Sequence, residues 1–204
     1  MRHRVAAVVA TTVVAVAPLV AIALLVAACG STALPSTVPS ASSAPSAAAS
    51  NTVAVDESLM ARLPVAVGGI VLTADPATAA DIATDPSLAG SASAIAVAFA
   101  IVPGPSSGAD QVAVASVVKL RDGVFGDAFY RSWRDSYDTA ACQSAGGVSG
   151  HAEADIGSRH AYIGTCSGGA HTYHVYLEGK GIIVSVTSVG DQRLGEQIVA
   201  GLRD

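Results

Sequence analysis

Hydrophobic and polar positions divide most cleanly between Phe125 and Cys142. At about 100° per residue, Phe125, Phe129, Ala140, Trp133, Tyr137, Tyr130 and Ala141 sweep an arc of roughly 160° on a helical wheel. Arg134, Asp127, Asp138, Arg131 and Asp135 fill the opposite arc. The division predicts a helix near 125–141 lying across a core, with Asp127/Arg131, Arg131/Asp135 and Arg134/Asp138 as pairs on its wet side. Cys142 falls on the polar arc, where the helix is expected to end.

Before this helix, Ala94 to Ile101 alternates strictly, with Ile95, Val97, Phe99 and Ile101 on one face and alanines on the other. A strand with no polar face is covered on both sides, and its alanine face lets another element approach closely. Gln111 to Arg121 alternates again, so the two should form an antiparallel hairpin. Upstream, Ser58 to Leu63 predicts a short helix and Gly69 to Thr73 a strand. Asp75-Pro76 and Asp85-Pro86 are helix starts, an acceptor side chain followed by proline.

Beyond Cys142 the pattern predicts four strands, near 148–156, 159–166, 171–178 and 182–189, with glycine-rich turns between them. Asp191 is then expected to cap a C-terminal helix near 192–203, with Leu194, Ile198 and Leu202 as its apolar stripe and Arg203 suiting the dipole in its last turn. The sum is an α+β fold, an antiparallel sheet of about six to seven strands with packed helices.

The first 52 residues follow another pattern. Arg2 and Arg4 precede Val5 to Ala28, an unbroken apolar run with only Thr11, Thr12 and Pro18 as soft spots, which reads as an export signal. It ends Val26-Ala27-Ala28-Cys29, an aliphatic residue, two small residues and a cysteine. Here the sequence resembles the lipobox of bacterial lipoproteins. That resemblance implies removal of residues 1–28, lipid attachment at Cys29, and a protein anchored in the bilayer at the extracytoplasmic face of the cell membrane. Residues 29–52 are rich in serine, alanine and proline, too poor in large apolar residues to offset ordering entropy, and read as a tether. The remaining 53–204 suffices for a single domain.

Mean hydropathy is +0.51, much of it from alanine, valine and the N-terminal run. The formal charge of the chain is −5, and losing Arg2 and Arg4 leaves the rest more acidic still. No basic cluster interrupts that charge, so nucleic acid is not an expected partner. Of the three cysteines, Cys29 belongs to the leader, whereas Cys142 and Cys166 sit in the folded region. A pair outside the cytoplasm is expected to form a disulfide.

Histidine supplies the one local concentration of chemistry. Four of the five histidines lie between His151 and His174. Taking Gly157-Ser158 as a two-residue turn sets Asp155 opposite His160, Glu153 opposite Tyr162 and His151 opposite Gly164. The side chains of His151, Glu153, Asp155, His160 and Tyr162 then share one outward face, while Ala152, Ala154, Ile156, Ala161 and Ile163 face the core. Only His160 and Asp155 are direct neighbours at about 3.3 Å per residue, and His171 and His174 point to opposite faces. That spread suits a contact surface better than a metal or a proton relay, so no metal and no cofactor is expected. Cys166 falls on the same polar face as His160 and Tyr162. Its bridge to Cys142 therefore requires either closure over the rim of the sheet or a bulge near Gly164.

Phosphate loops, GxSxG elbows, HExxH and CxxC are all absent from the sequence. The leading expectation is a membrane-anchored binding or interaction module. The second is a metal-dependent or other hydrolytic enzyme using the 151–160 hairpin.

Overall fold

The computed structural model describes residues 52–104 and 110–204. The signal, Cys29 and all but the last residue of the tether lie outside the described residues. No described helix is long and apolar enough to cross a membrane.

The architecture is mixed α/β, built on one large sheet. Its strands are β1 (Ala54–Val55), β4 (Thr73–Ala74), β5 (Ala92–Val102), β6 (Gln111–Leu120), β7 (Val148–Ile156), β8 (Arg159–Cys166), β9 (His171–Leu177) and β10 (Ile182–Val189). The order is β1-β5-β6-β10-β9-β8-β7, with β4 added beside β5. All neighbours are antiparallel except β1 and β5, which run parallel. The sheet is thus eight-stranded where six to seven strands were expected; the difference is the two-residue edge strands β1 and β4, too short to leave a period-2 signal. In place of the single strand expected at Gly69 to Thr73, β2 (Ala66–Val67) and β3 (Ile70–Val71) form a separate hairpin, and β4 follows it.

Helices cover both faces. On one face lie α1 (Pro76–Ala83), α2 (Pro86–Ala89) and α3 (Asp127–Cys142), with Ile95, Val97, Val118, Tyr130 and Ile183 in the core beneath them. Asp75 accepts the backbone N–H of Thr78 at 3.0 Å and Asp85 that of Ser87 at 2.8 Å, so each Asp-Pro pair starts a helix as its sequence predicts. The 3-10 helix Glu57–Arg62, the β2–β3 hairpin and α4 (Leu194–Ala200) cover the other face. There Leu59, Leu63, Val67 and Leu72 share a core with Ala94, Ala96, Ala98 and Ala100, the small side chains that admit a close neighbour.

Two helices depart from expectation. The C-terminal one, expected over 192–203, spans only Leu194–Ala200. Asp191 does not cap it; the cap position is Arg193, in the left-handed region at φ 54°. Arg203 lies beyond the last turn, its N–H bonded to the Arg62 carbonyl. Leu194, Ile198 and Leu202 are nonetheless buried as a stripe.

In α3 the burial differs rather than the extent. Tyr130, Asp138 and Cys142 are buried and Ala140 is exposed, so the helix is rotated by roughly a quarter turn from the orientation that counting apolar residues predicts. None of the ion pairs expected on its wet side forms. The cause is covalent. Cys142 and Cys166 form a disulfide across 24 residues, and both are buried with Ala170. No closure over the rim is needed, because α3 lies on the sheet face to which Cys166 points. The register shift that accommodates it falls between Val148 and Gly150 of β7, opposite Cys166 and Thr165, and not at Gly164.

Replacing both cysteines by alanine should lower stability by about 3.5 kcal/mol, the chain-entropy value for a loop of this length. Urea denaturation of the double variant against the oxidised parent measures it. Alkylation of both thiols in unreduced, denatured parent protein would refute the bridge.

Candidate functional site

The hairpin β7–β8 holds the residues singled out by sequence. Its register pairs Asp155 with His160, Glu153 with Tyr162 and His151 with Gly164. His160 lies between two carboxylates, its Nδ1 3.1 Å from Asp155 Oδ1 and its Nε2 3.6 Å from Glu153 Oε2. All three side chains are more than half exposed. His151 is different: its Nε2 is 3.1 Å from Oδ2 of Asp138, a carboxylate of α3 that is 2% exposed. Tyr162 meets the edge of the His160 ring and lies under the guanidinium of Arg134, 3.8 Å from its ring centroid. The face holding these five side chains is therefore also the one on which α3 packs, and the helix forms a wall beside the hairpin.

Two cross-strand rows run beneath α3. One passes through Glu153, Tyr162, His174, Ser185 and Ser116; the next through His151, Gly164, Thr172 and Thr187. Asp138 descends onto them. Its Oδ1 accepts from Thr172 Oγ1 at 2.5 Å and from His174 Nε2 at 2.8 Å. On the other side of the ring, His174 Nδ1 is 3.0 Å from Ser185 Oγ, which also accepts the indole N–H of Trp133 at 3.1 Å. A carboxylate only accepts, so His174 Nε2 carries a proton and donates to Asp138. Tyr137 closes the group, its ring edge-on to His174 and its hydroxyl 3.1 Å from Thr187 Oγ1.

Burial pushes the Asp138 carboxyl up, but hydrogen bonds from His174 and Thr172, with the electrostatic attraction of the His174 and His151 rings, outweigh it. The group is held below the ordinary carboxylate range. The magnitudes support that order. Desolvating a carboxylate costs several kcal/mol, and each hydrogen bond to the charge returns about 1.5 to 3 kcal/mol. Room for it comes from Gly164. A Cβ there would lie 2.6 Å from Asp138 Oδ2 and would also collide with Thr172 Oγ1.

Between α3 and β7–β8 opens a cleft of about 500 Å³, lined among others by Arg131, Arg134, Asp135, Asp138, His151, Glu153 and Tyr162. Neither arginine pairs with a carboxylate among the described residues. The Nε of Arg134 is buried and has no hydrogen-bond partner among the described residues, and the same holds for the hydroxyl of Tyr130. Burial raises the Tyr130 phenol well above its ordinary range, so that hydroxyl keeps its proton. No group of three or more His, Cys, Asp or Glu that could hold a metal ion occurs among the described residues.

Ser185, His174 and Asp138 have the residue types of a hydrolytic triad, but not the access. Ser185 is 1% exposed and His174 is fully covered by α3 and its neighbours. As arranged, the string ties helix to sheet. Asp138, His174, Ser185, Thr172 and Arg134 were all outside the site read from sequence, yet one signal pointed to them. Cys142 has to face the sheet to reach Cys166, and residues four apart share a helix face, so Asp138 and Arg134 had to follow it inward.

Asp138→Asn should destabilise the fold by about 3 kcal/mol, because it leaves the partners of a buried charge unmatched. Since the folded-state pKa is lowered, the contribution of Asp138 is complete above the unfolded value near 4 and is lost as pH falls through the folded value. Parent stability should therefore drop on acidification, and the variant should lack that part of the slope in urea titrations from pH 7 to 3. Gly164→Ala should cost about 2 kcal/mol by overpacking. Exposed His160→Ala should stay within about 0.5 kcal/mol of the parent, and a large loss there would contradict the exposed geometry.

No family model matches the chain, and neither a curated protein nor a solved structure is significantly similar to it.

Proposed function

We propose that the protein is an extracytoplasmic binding protein, anchored to the membrane through a lipid on Cys29, and that the cleft between α3 and the β7–β8 hairpin is its ligand site. One observation carries this reading. The serine, histidine and aspartate that together resemble a nucleophile and its relay lie in the buried string from Trp133 through Ser185 and His174 to Asp138, whereas two arginines with no carboxylate partner among the described residues, Arg131 and Arg134, line the cleft. Recognition needs fixed polar groups around a cavity of a few hundred Å³; hydrolysis needs a nucleophile that a substrate can reach. Residues 151, 153, 155, 160 and 162 serve this reading as one wall and its outer rim.

Two features support the location. The disulfide belongs to an oxidising compartment, and Val26-Ala27-Ala28-Cys29 has the form of a lipobox. The anchor is then the bilayer contact, and residues 30–52 give the domain reach above the surface.

Native mass spectrometry of the protein extracted from its host membrane tests both parts. The expected species begins at Cys29, carries the mass of a diacylglyceryl group, and retains a small bound ligand. Cys29→Ser should leave residues 1–28 attached. Protein that keeps its leader in the parent form would refute the anchor, and protein free of ligand at every stage of a gentle extraction would count against the cleft.

A further inference from the structure

We infer that the ligand of this cleft carries a carboxylate or phosphate oxyanion seated on the guanidinium of Arg134, with Arg131 drawing it in; this rests on the binding reading above. Arg134 is half-buried, its Cζ 3.8 Å from the centroid of Tyr162 and 5.5 Å from that of Tyr130. Stacking on a ring engages the flat face of a guanidinium and leaves its N–H groups, which lie in its plane, for an acceptor. Here the acceptor is missing. Asp138 stands one helical turn away and Asp135 is adjacent in sequence, yet no carboxylate pairs with Arg134 among the described residues.

Buried donors are rarely left without partners, and each exception calls for an explanation. Two such groups occur side by side here, Arg134 Nε and the Tyr130 hydroxyl, and both are at Tyr162, whose ring meets Tyr130 edge-on at 5.4 Å. Those two atoms are enclosed by the packing around Tyr162, and what the cleft meets is the outer edge of the Arg134 guanidinium, whose terminal N–H groups have no protein acceptor among the described residues. A planar carboxylate or phosphate accepts such groups from the fork of an arginine.

The acids lining the cleft do not oppose an anion as strongly as their number implies. Asp138 is matched by His151, His174 and Thr172. Glu153 lies against His160. Asp135, exposed at the mouth, is the one lining acid without an ion pair or hydrogen-bonded histidine among the described residues, and it stands against two arginines one turn apart on α3. A volume of about 500 Å³ is ample for a small organic anion.

The test uses the full-length protein in detergent, titrated with succinate and with inorganic phosphate at constant ionic strength, with ethylenediamine as the cationic control. Binding is read from the 15N shift of the Arg134 side-chain Nε–H and from the melting midpoint. Succinate or phosphate should shift that resonance saturably and raise the midpoint, and ethylenediamine should do neither; a response to only one of the two anions identifies which oxyanion the site takes. Arg134→Lys should weaken binding by about tenfold, because an ammonium cannot reproduce the paired contact. Arg131→Gln, an exposed change that leaves folding intact, should weaken binding severalfold and flatten its salt dependence. Arg193→Gln, on the opposite face of the sheet, should change nothing. An absent response to both anions, or a response that survives Arg131→Gln and Arg134→Lys alike, overturns the inference. If native mass spectrometry instead finds a ligand with neither carboxylate nor phosphate, the oxyanion assignment fails while the binding site stands; if it finds no ligand and neither anion binds, both fail.

Discussion

The disulfide between Cys142 and Cys166 acts on one degree of freedom more than any other: the rotation of α3 about its own axis. Cys142 ends the helix and Cys166 ends β8, and both are buried. Side chains four residues apart share a helix face, so the contact that brings Cys142 to the sheet also brings Asp138, Arg134 and Tyr130. Each then meets a different part of the sheet. Cys142 meets Cys166, Asp138 meets Thr172, His174 and His151, Arg134 meets Tyr162, and Tyr130 packs with Phe125, Tyr162 and Tyr176.

A carboxylate forced inward has to be matched, and the composition of the strands below shows the match. Apart from His171 and its cross-strand partner Ser188 on the opposite face, β9 and β10 are otherwise runs of β-branched, aromatic and aliphatic residues, yet they place Thr172, His174, Ser185 and Thr187 on the face under α3. β6 adds Ser116 in register, its hydroxyl donating to the Ser185 carbonyl. Removing either side alone is costly, since a buried polar group without its partner loses far more than a hydrogen bond contributes net. The polar stripe and the helix rotation are therefore consequences of each other. Apolar packing continues on both flanks, at Trp133 and Phe129 along the helix and at Val118 and Ile183 in the sheet.

Much of the sheet was legible in sequence, and the reason is local. Strands β5 and β6, and β7 to β10, follow strand patterns interrupted by turn residues, and in the hairpin at Gly157 the turn also sets the register. Helix rotation depends on which partner wins a competition, and hydropathy counts only one competitor. Phe129 and Ala140 pull the predicted face one way by apolar area, and a covalent bond from Cys142 pulls it the other. The same bond also explains why the polar face of β7–β8 is a cleft wall rather than an open surface. The C-terminal helix is present with its expected stripe buried, but its start differs for another reason: the chain turns into it through the left-handed Arg193, so Asp191 is placed too early to reach the first free N–H groups. The edge strands β1 and β4 are two residues each and carry no pattern to read.

Asp138 belongs to the fold and to the cleft at once. Through His174 and Thr172 it holds α3 down; through His151 it fixes one side of the cleft. Arg134, one turn earlier, is held by two rings instead of by a counter-charge. The cleft walls are thus ordered by folding alone, and on the proposed binding reading a ligand would not have to supply that ordering energy. Arg131 and Arg134 stand on the cleft where the packing of α3 leaves them, so the contact that sets the fold also sets the charge that lines the cleft.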